Sequence, residues 1–478
     1  MSGFSSVTAA EEARPSGAVV AESAVDGIQF PAGFRWGAAT ASYQIEGAAT
    51  AGGRGSSIWD TFSHTPGKVV GGDTGDIACD HYNRYAEDVA ILKHLGVSAY
   101  RFSVAWPRIQ PDGTGPVNAE GLAFYDRLVD ELLGAGIEPM LTLYHWDLPQ
   151  ALEDKGGWPN RDTAYRFAEY ATLVHERLGD RVDDWTTLNE PFCSAFLGYY
   201  AGIHAPGAQD ARQSLAALHH LLLGHGLATQ SMRAQARPGH RFSLVLNLAT
   251  VRTDGDTDEH REAVRRVDGL QNRIFLDPVL RGEYPADIVA DLAPVTDFDF
   301  VADGDLTTIA TPLDLVGVNN YSCARVEPGG AEDAAGPFPG LRHATLLPPR
   351  GPLTLIGWEQ DPDGLYELLV RLYRDYPQVP LMITENGAAF ADTVSADGRV
   401  RDPDRRAYLD QHVRAVHRAI QDGVDLRGYL AWSLLDNFEW AEGYAMRFGL
   451  VHVDFETQRR TVKDSGHWYG DLARRNGL

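Results

Sequence analysis

From Phe34 onward, short apolar runs alternate with longer stretches in which apolar residues recur at helical spacing. Strand-length runs fall at 34–41, 99–105, 140–144, 184–188, 242–248, 314–318, 380–384 and 428–433. Helical patterns follow them near 81–95, 119–133, 163–178, 215–234, 259–275, 365–373, 404–420 and 465–475. Strand and helix in strict alternation make parallel βαβ units, and eight such units predict an α/β protein built as a single (β/α)8 TIM barrel. Two segments exceed ordinary connections: 47–79, and 327–352 with its repeated Pro and Gly and no hydrophobic period. Both follow strands, so both are expected as long loops at the carboxyl-terminal face, where such barrels carry their function. Residues 1–29 are rich in Ser, Ala and Glu without a period and predict a mobile N-terminal tail; 30–478 then form the barrel.

Composition narrows the class. Of 478 residues 44% are hydrophobic, ample for a large core. Asp and Glu number 66 against 42 Lys and Arg, a net charge of −24, which suits neither nucleic acid nor an anionic membrane surface. No apolar run reaches the roughly 18 residues of a membrane span. Residues 1–10 lack Lys and Arg, so there is no basic n-region, and Cys79, Cys193 and Cys323 are odd in number and far apart. These features predict a cytoplasmic protein without a disulfide framework. They leave its oligomeric state open.

Barrel chemistry comes from strand ends. Those ends give Gln44 and Glu46, Arg101, His145 with Trp146, Asn189 with Glu190, Asn247, Asn319 with Tyr321, Glu385, and Trp432. This is a set of hydrogen-bonding groups and indoles around two carboxylates, Glu190 and Glu385. It fits a hydroxyl-rich ligand with flat C–H faces better than a phosphate or a hydride donor. Each element alone has a plain structural reading. A Glu before Pro191 is usually solvated, Glu385-Asn-Gly387 reads as a turn because Asn-Gly favours positive φ, and a single His is more often a core residue. Jointly, two carboxylates across a barrel mouth are the minimum machinery for glycosidic bond cleavage.

The motifs themselves carry a resemblance. Residues 34–47 (FRWGAATASYQIEG), 100–103 (YRFS), 144–149 (YHWDLP), 187–191 (TLNEP), 383–387 (ITENG) and 432–440 (WSLLDNFEW) resemble, in order, a glycoside hydrolase family 1 β-glucosidase. The resemblance runs from about residue 30 to the C-terminus. It implies a retaining, exo-acting hydrolase of β-glucosides such as cellobiose, with Glu385 as nucleophile and Glu190 as acid/base, their carboxyl groups about 5–5.5 Å apart. It implies sugar contacts from Gln44, His145, Asn189, Trp432, Glu439 and Trp440. Arg101, Asn319 and Tyr321 fall where the family holds the nucleophile and its neighbours, and Trp358 matches the aromatic on the aglycone side. Trp146 and Phe448 are expected to support the pocket. The family's phospho-specific branch has Ser where Glu439 stands, Lys where Met446 stands and Tyr where Phe448 stands; this chain has none of the three.

No metal and no cofactor is expected. His219, His220 and His225 lie on one predicted helix but not at the i, i+4 spacing of a zinc pair, and Cys79-Asp-His81 reads as the loop before the first helix. No phosphate-binding or dinucleotide fingerprint is present. Two alternatives stay in view: a broad β-glycosidase acting also on galactosides or fucosides, or a net transglycosylase. A non-catalytic sugar-binding barrel is disfavoured because both carboxylates are retained.

Overall fold

The computed structural model describes residues 27–330 and 336–478. Most of the expected tail, residues 1–26, lies outside the described residues, as do 331–335. Eight strands form a closed parallel barrel: β1 Arg35–Ala39, β2 Ala99–Ser103, β3 Glu138–Tyr144, β4 Asp184–Asn189, β5 Arg241–Asn247, β6 Leu315–Asn319, β7 Leu381–Asn386 and β8 Leu426–Trp432. Each pairs with its neighbours in sequence, and β1 closes on β8 with Arg35 opposite Gly428. The strands are buried on both faces because the interior is filled by side chains and the outside is covered by helices.

The principal helices are α1 His81–Leu95, α2 Ala119–Gly134, α3 Asp162–Leu178, α4 Ala211–Ala234, α5 Asp258–Asp268, α6 Pro362–Asp375, α7 Pro403–Gln421 and α8 Asp464–Arg475. Their starts follow local chemistry. α4 begins earlier than its apolar pattern because the Asp210 side chain caps the Gln213 N–H, and α6 opens with a capping Asp361 and Pro362 in its first turn. The helix expected at 259–275 is α5 followed by a wide turn at Gly269–Arg273 and a further helix Ile274–Arg281.

Both long segments have more structure than their composition predicts. The first holds the helix Ile58–Ser63, started by a reciprocal Ser57–Asp60 capping box. In the second, Ala324–Pro328 pairs with Ala344–Leu346, and Val326 and Ala344 are buried there. Pro328, Gly329 and Gly330 interrupt the apolar pattern and so conceal the pairing in the sequence. The tail boundary also moves: Gln29 bridges Gly477, and the Leu478 N–H donates to the Ile28 carbonyl at 2.9 Å.

Register irregularities sit where they matter. β4 slips against β5 between Thr186 and Asn189, and β7 slips against β6 between Ile383 and Glu385. Such bulges re-aim the side chains beyond them.

Candidate active site

Glu385 lies near the end of β7 and is buried. Its Oε1 accepts from Arg101 Nη1 at 2.6 Å and its Oε2 from the Tyr321 hydroxyl at 2.6 Å. Glu190 follows β4 in a left-handed conformation, φ 46°, with its N–H donating to the Val245 carbonyl at 2.9 Å. Its Oε1 accepts from Asn319 Nδ2 at 2.6 Å and its Oε2 from Cys193 Sγ at 3.2 Å. Asn189 ties the two halves together. Its Oδ1 accepts from Arg101 Nη2 at 2.7 Å and from Asn319 Nδ2 at 3.1 Å. Thr142 and Thr384 fix the outer ends, accepting from Arg101 Nε at 3.0 Å and donating to Asn319 Oδ1 at 2.7 Å.

This wiring separates two like groups. Burial, and then the charge of Glu385, push Glu190 up to about 8, against smaller pulls from Asn319 and Cys193. Burial also raises Glu385, but there it is opposed by the Arg101 charge and by hydrogen bonds from Tyr321, Arg101 and Asn319. With one proton between them, Glu190 holds it, because the guanidinium is bonded to Glu385. Burial, with Arg101 nearby, keeps His145 neutral by holding its pKa well below the usual value.

Around the carboxylates stand aromatic walls. The His145 ring lies near-parallel to Trp432 and Trp440, each 5.9 Å away, and Trp440 rests on Trp146 at 4.5 Å. Trp146 is itself fixed by its indole N–H on the Asn189 carbonyl at 2.9 Å. Across the mouth, half-buried Trp358 tilts against Tyr321 at 5.2 Å and Phe448 at 5.9 Å. Gln44 donates to Asn437 Oδ1 and the Phe438 carbonyl at 3.1 and 3.0 Å. Gln44 Oε1 and His145 Nδ1 are buried without a partner among the described residues. His145 Nε2 meets the Asn189 amide N–H at 3.1 Å, so the neutral ring has its Nδ1–H free to donate. One spare acceptor and one spare donor match a hydroxyl. Glu439, beside Gln44 at 3.4 Å, is raised to about 8 by burial and by Glu385, Glu190 and Glu442.

The model of the glycosyl hydrolase family 1 family matches residues 27–478. The chain belongs to glycosyl hydrolase family 1. Thermostable β-glucosidase B of Thermobispora bispora is 55% identical over 467 residues, 97% of this chain and 94% of that protein. The bifunctional β-D-glucosidase/β-D-fucosidase of Bifidobacterium breve is 51% identical, over 92% of this chain and 97% of its own. Among solved structures, the Thermotoga maritima β-glucosidase in complex with glucoimidazole superposes with a TM-score of 0.89 at 47% identity, covering 94% of this chain and all of that one.

Within this family 1 barrel, the residues read from the strand ends converge, with two exceptions. Glu46 turns away, accepting from Arg108 Nε at 2.9 Å and from the Tyr125 hydroxyl at 2.5 Å. Residues 44 and 46 lie in and just after a helical turn, Ser42–Ile45, where positions two apart differ by about 200° in direction. Asn247 stands opposite Asn319 in register and outside the carboxylate wiring described above. Gly387 also differs from its reading as a positive-φ turn. It is needed for close approach, since a Cβ there would stand 1.9 Å from the Trp432 carbonyl oxygen. Cys193, Thr142 and Thr384 went unread as site residues. Cys193 had a signal, lying one helical turn beyond Glu190 after the helix-starting Pro191.

The metal candidates have protein partners. His219 bonds Asp305 and Tyr284, His220 the Trp158 carbonyl, His225 Thr187, and His81 Asp88. Among the described residues one cluster, Cys323, Glu359 and Asp361, has ligand spacing. Arg325 grips Glu359 at 2.6 and 2.7 Å, and Arg252 grips Asp361 at 2.7 Å, so those carboxylates are already neutralised. No described helix is long and apolar enough to cross a membrane.

Proposed function

We propose that this chain is a retaining, exo-acting β-glucosidase in which Glu385 is the nucleophile and Glu190 the acid/base. One observation carries the reading: the two buried carboxylates have unlike partners, a guanidinium and a phenol on Glu385, an amide and a thiol on Glu190. The terminal glucosyl unit lies against Trp432 and Trp440, with hydroxyls met by Gln44, His145, Asn189 and Glu439. Glu190 gives its proton to the glycosidic oxygen as Glu385 attacks the anomeric carbon. The bond to the leaving group breaks, and the sugar stays on Glu385 as an ester. Removal of that proton leaves Glu190 a carboxylate. It then takes a proton from water, which attacks the same carbon and releases β-glucose with Glu385 restored. Asn319 and Tyr321 keep the two carboxylates in place, and Trp358 and Phe448 flank the aglycone side. The steps use side chains alone. Substrates of this kind include cellobiose, other short oligosaccharides and aryl or alkyl glucosides.

A broader glycoside range is a second reading, favoured by the Bifidobacterium breve relative, whose name joins glucosidase and fucosidase at 51% identity. Transglycosylation would follow if a sugar hydroxyl replaced water in the second step. A cytoplasmic setting agrees with three free cysteines, two of them buried.

The experiment is Glu385→Gly. Hydrolysis of a nitrophenyl β-glucoside should be lost, and azide should restore turnover with the α-glucosyl azide as product. NMR of the unaltered enzyme should show the β-anomer first. Ordinary activity in the purified variant, or the α-anomer appearing first, defeats the assignment.

A further inference from the structure

The chain from Asp436 to Gly449 carries Glu439, Trp440, Met446 and Phe448, and its two ends meet at one carboxylate. Asp436 Oδ1 accepts the Gly449 N–H at 3.0 Å, and the Asp436 N–H donates to the Val451 carbonyl at 2.9 Å. The approach is so close that a Cβ on Gly449 would stand 2.1 Å from the Asp436 nitrogen. Two cations hold that carboxylate: Lys463 Nζ on Oδ1 at 2.7 Å and Arg447 Nη1 on Oδ2 at 2.8 Å. Lys463 also binds Asp392, in the loop after β7, and Arg405 holds the same Asp392 oxygen at 2.8 Å. Arg405 in turn binds Asp402 and donates to the Arg447 carbonyl at 2.6 Å.

Three cations thus face three carboxylates. Five of these six side chains are at most 2% exposed; Arg447 is 22% exposed. None takes part in the double displacement. Burying six charges is costly, and an arrangement of this kind is defensible where it fixes one geometry of the parts it joins. Here it joins the neck of the sugar-facing loop to the loop after β7. On the sugar side the same stretch is tied to Gln44, whose carbonyl accepts the Phe438 N–H at 3.1 Å.

We propose that Lys463 is a specificity-determining positioning residue. By clamping Asp436 at the neck of the 436–449 loop, it fixes Glu439 at the 4- and 6-hydroxyls of the sugar. It thereby makes the pocket prefer glucosides to sugars that lack the 6-hydroxyl. This rests on the reading under Proposed function. Lys463, rather than Arg447, is the keystone because it touches both Asp436 and Asp392 and is closed to solvent.

The test compares kcat/KM for nitrophenyl β-D-glucoside and nitrophenyl 6-deoxy-β-D-glucoside, which differ at the 6-hydroxyl alone, in Lys463→Met. The glucoside-to-6-deoxyglucoside ratio should fall about tenfold, mostly through a higher KM for the glucoside, with kcat on the 6-deoxyglucoside within about threefold of the unaltered enzyme. A loss by the same factor on both substrates means the network only supports stability, and overturns the proposal. Should Lys463→Met fail to fold, Arg447→Met, on the partly exposed edge, is read by the same ratio. If neither variant folds, the network is scaffold and the proposal falls. An unaltered protein that hydrolyses neither glycoside defeats the proposed activity itself. An active protein whose variants keep the ratio defeats this inference alone.

Discussion

Glu190 and Glu385 are the same side chain in the same buried mouth, and a guanidinium on Glu385 alone makes their surroundings unlike. Under the proposed mechanism turnover needs Glu385 ionised and Glu190 protonated, so kcat/KM should be bell-shaped in pH. Glu190, raised to about 8, loses its proton as pH rises through that value; it should set the alkaline limb, and Glu385 the acid limb. The Cys193 thiol stabilises the charged form of Glu190 and so pulls it down. Cys193→Ala should therefore move the alkaline limb to higher pH, by less than about one unit, while the acid limb stays. A pH profile whose alkaline limb does not move shows that the thiol does not act on Glu190. Glu190→Ala should slow glycosylation by about 10²–10⁴-fold for an alkyl glucoside, whose leaving group needs the proton. A nitrophenyl glucoside should be slowed far less. Single-turnover rates check this, and equal slowing of the two removes Glu190 from the acid role.

The elements place these residues through their ends. β7 stops beside β8 at Gly387, where backbone meets backbone. Gly387→Ala has no flexible side chain to displace, so it must spread the two strands. We expect a loss of about 1–3 kcal/mol of stability by denaturant titration. Because Glu385 stands two residues away, kcat should fall as well, by on the order of 100-fold if the carboxylate moves about 1 Å. Unchanged stability and kcat would mean the strands yield freely there. The eight strands, their order and most helix limits were legible because a filled barrel demands apolar runs at fixed alternation. The ring of strand-end residues was legible because parallel strands all deliver their ends to one face. Partner choice was not legible from the hydrophobic pattern. Arg101 and Glu385 are 284 positions apart, and only the family resemblance, not any local pattern, put the guanidinium on that carboxylate. Glu46 was misread because proximity to a strand end does not say which way a side chain in a helical turn points. The Ala324–Pro328 pairing was hidden by turn residues.

At the scale of the molecule, the net charge of −24 and the local charge of Glu439 act on any anionic substrate over different ranges. With Glu439 placed at the 6-hydroxyl as proposed, a glucoside bearing a phosphate at O6 should meet both, and Met446 and Phe448 offer it neither charge nor hydroxyl. A full carboxylate about 4 Å from one phosphate charge costs roughly 4 kcal/mol at an effective dielectric near 20. Glu439, however, is raised to about 8, so near pH 7 it is mostly protonated and its repulsion is mostly absent. The sign follows: discrimination against the 6-phosphate should widen as pH rises through about 8 and Glu439 ionises. Taking the ratio of kcat/KM for matched nitrophenyl glucoside and its 6-phosphate cancels the titration of Glu190, which both substrates share. We expect a ratio on the order of tenfold to a hundredfold above pH 8, smaller at pH 6.5. Salt separates the ranges. The long-range field of the acidic surface is screened within about 10 Å at 0.1 M and 3 Å at 1 M, whereas the contact with Glu439 is screened little. Raising salt should therefore increase kcat/KM for the phosphate and leave the neutral glucoside unchanged, while the pH-dependent part of the ratio persists. A ratio that is flat in pH, or that favours the phosphate, would show that Glu439 does not face O6.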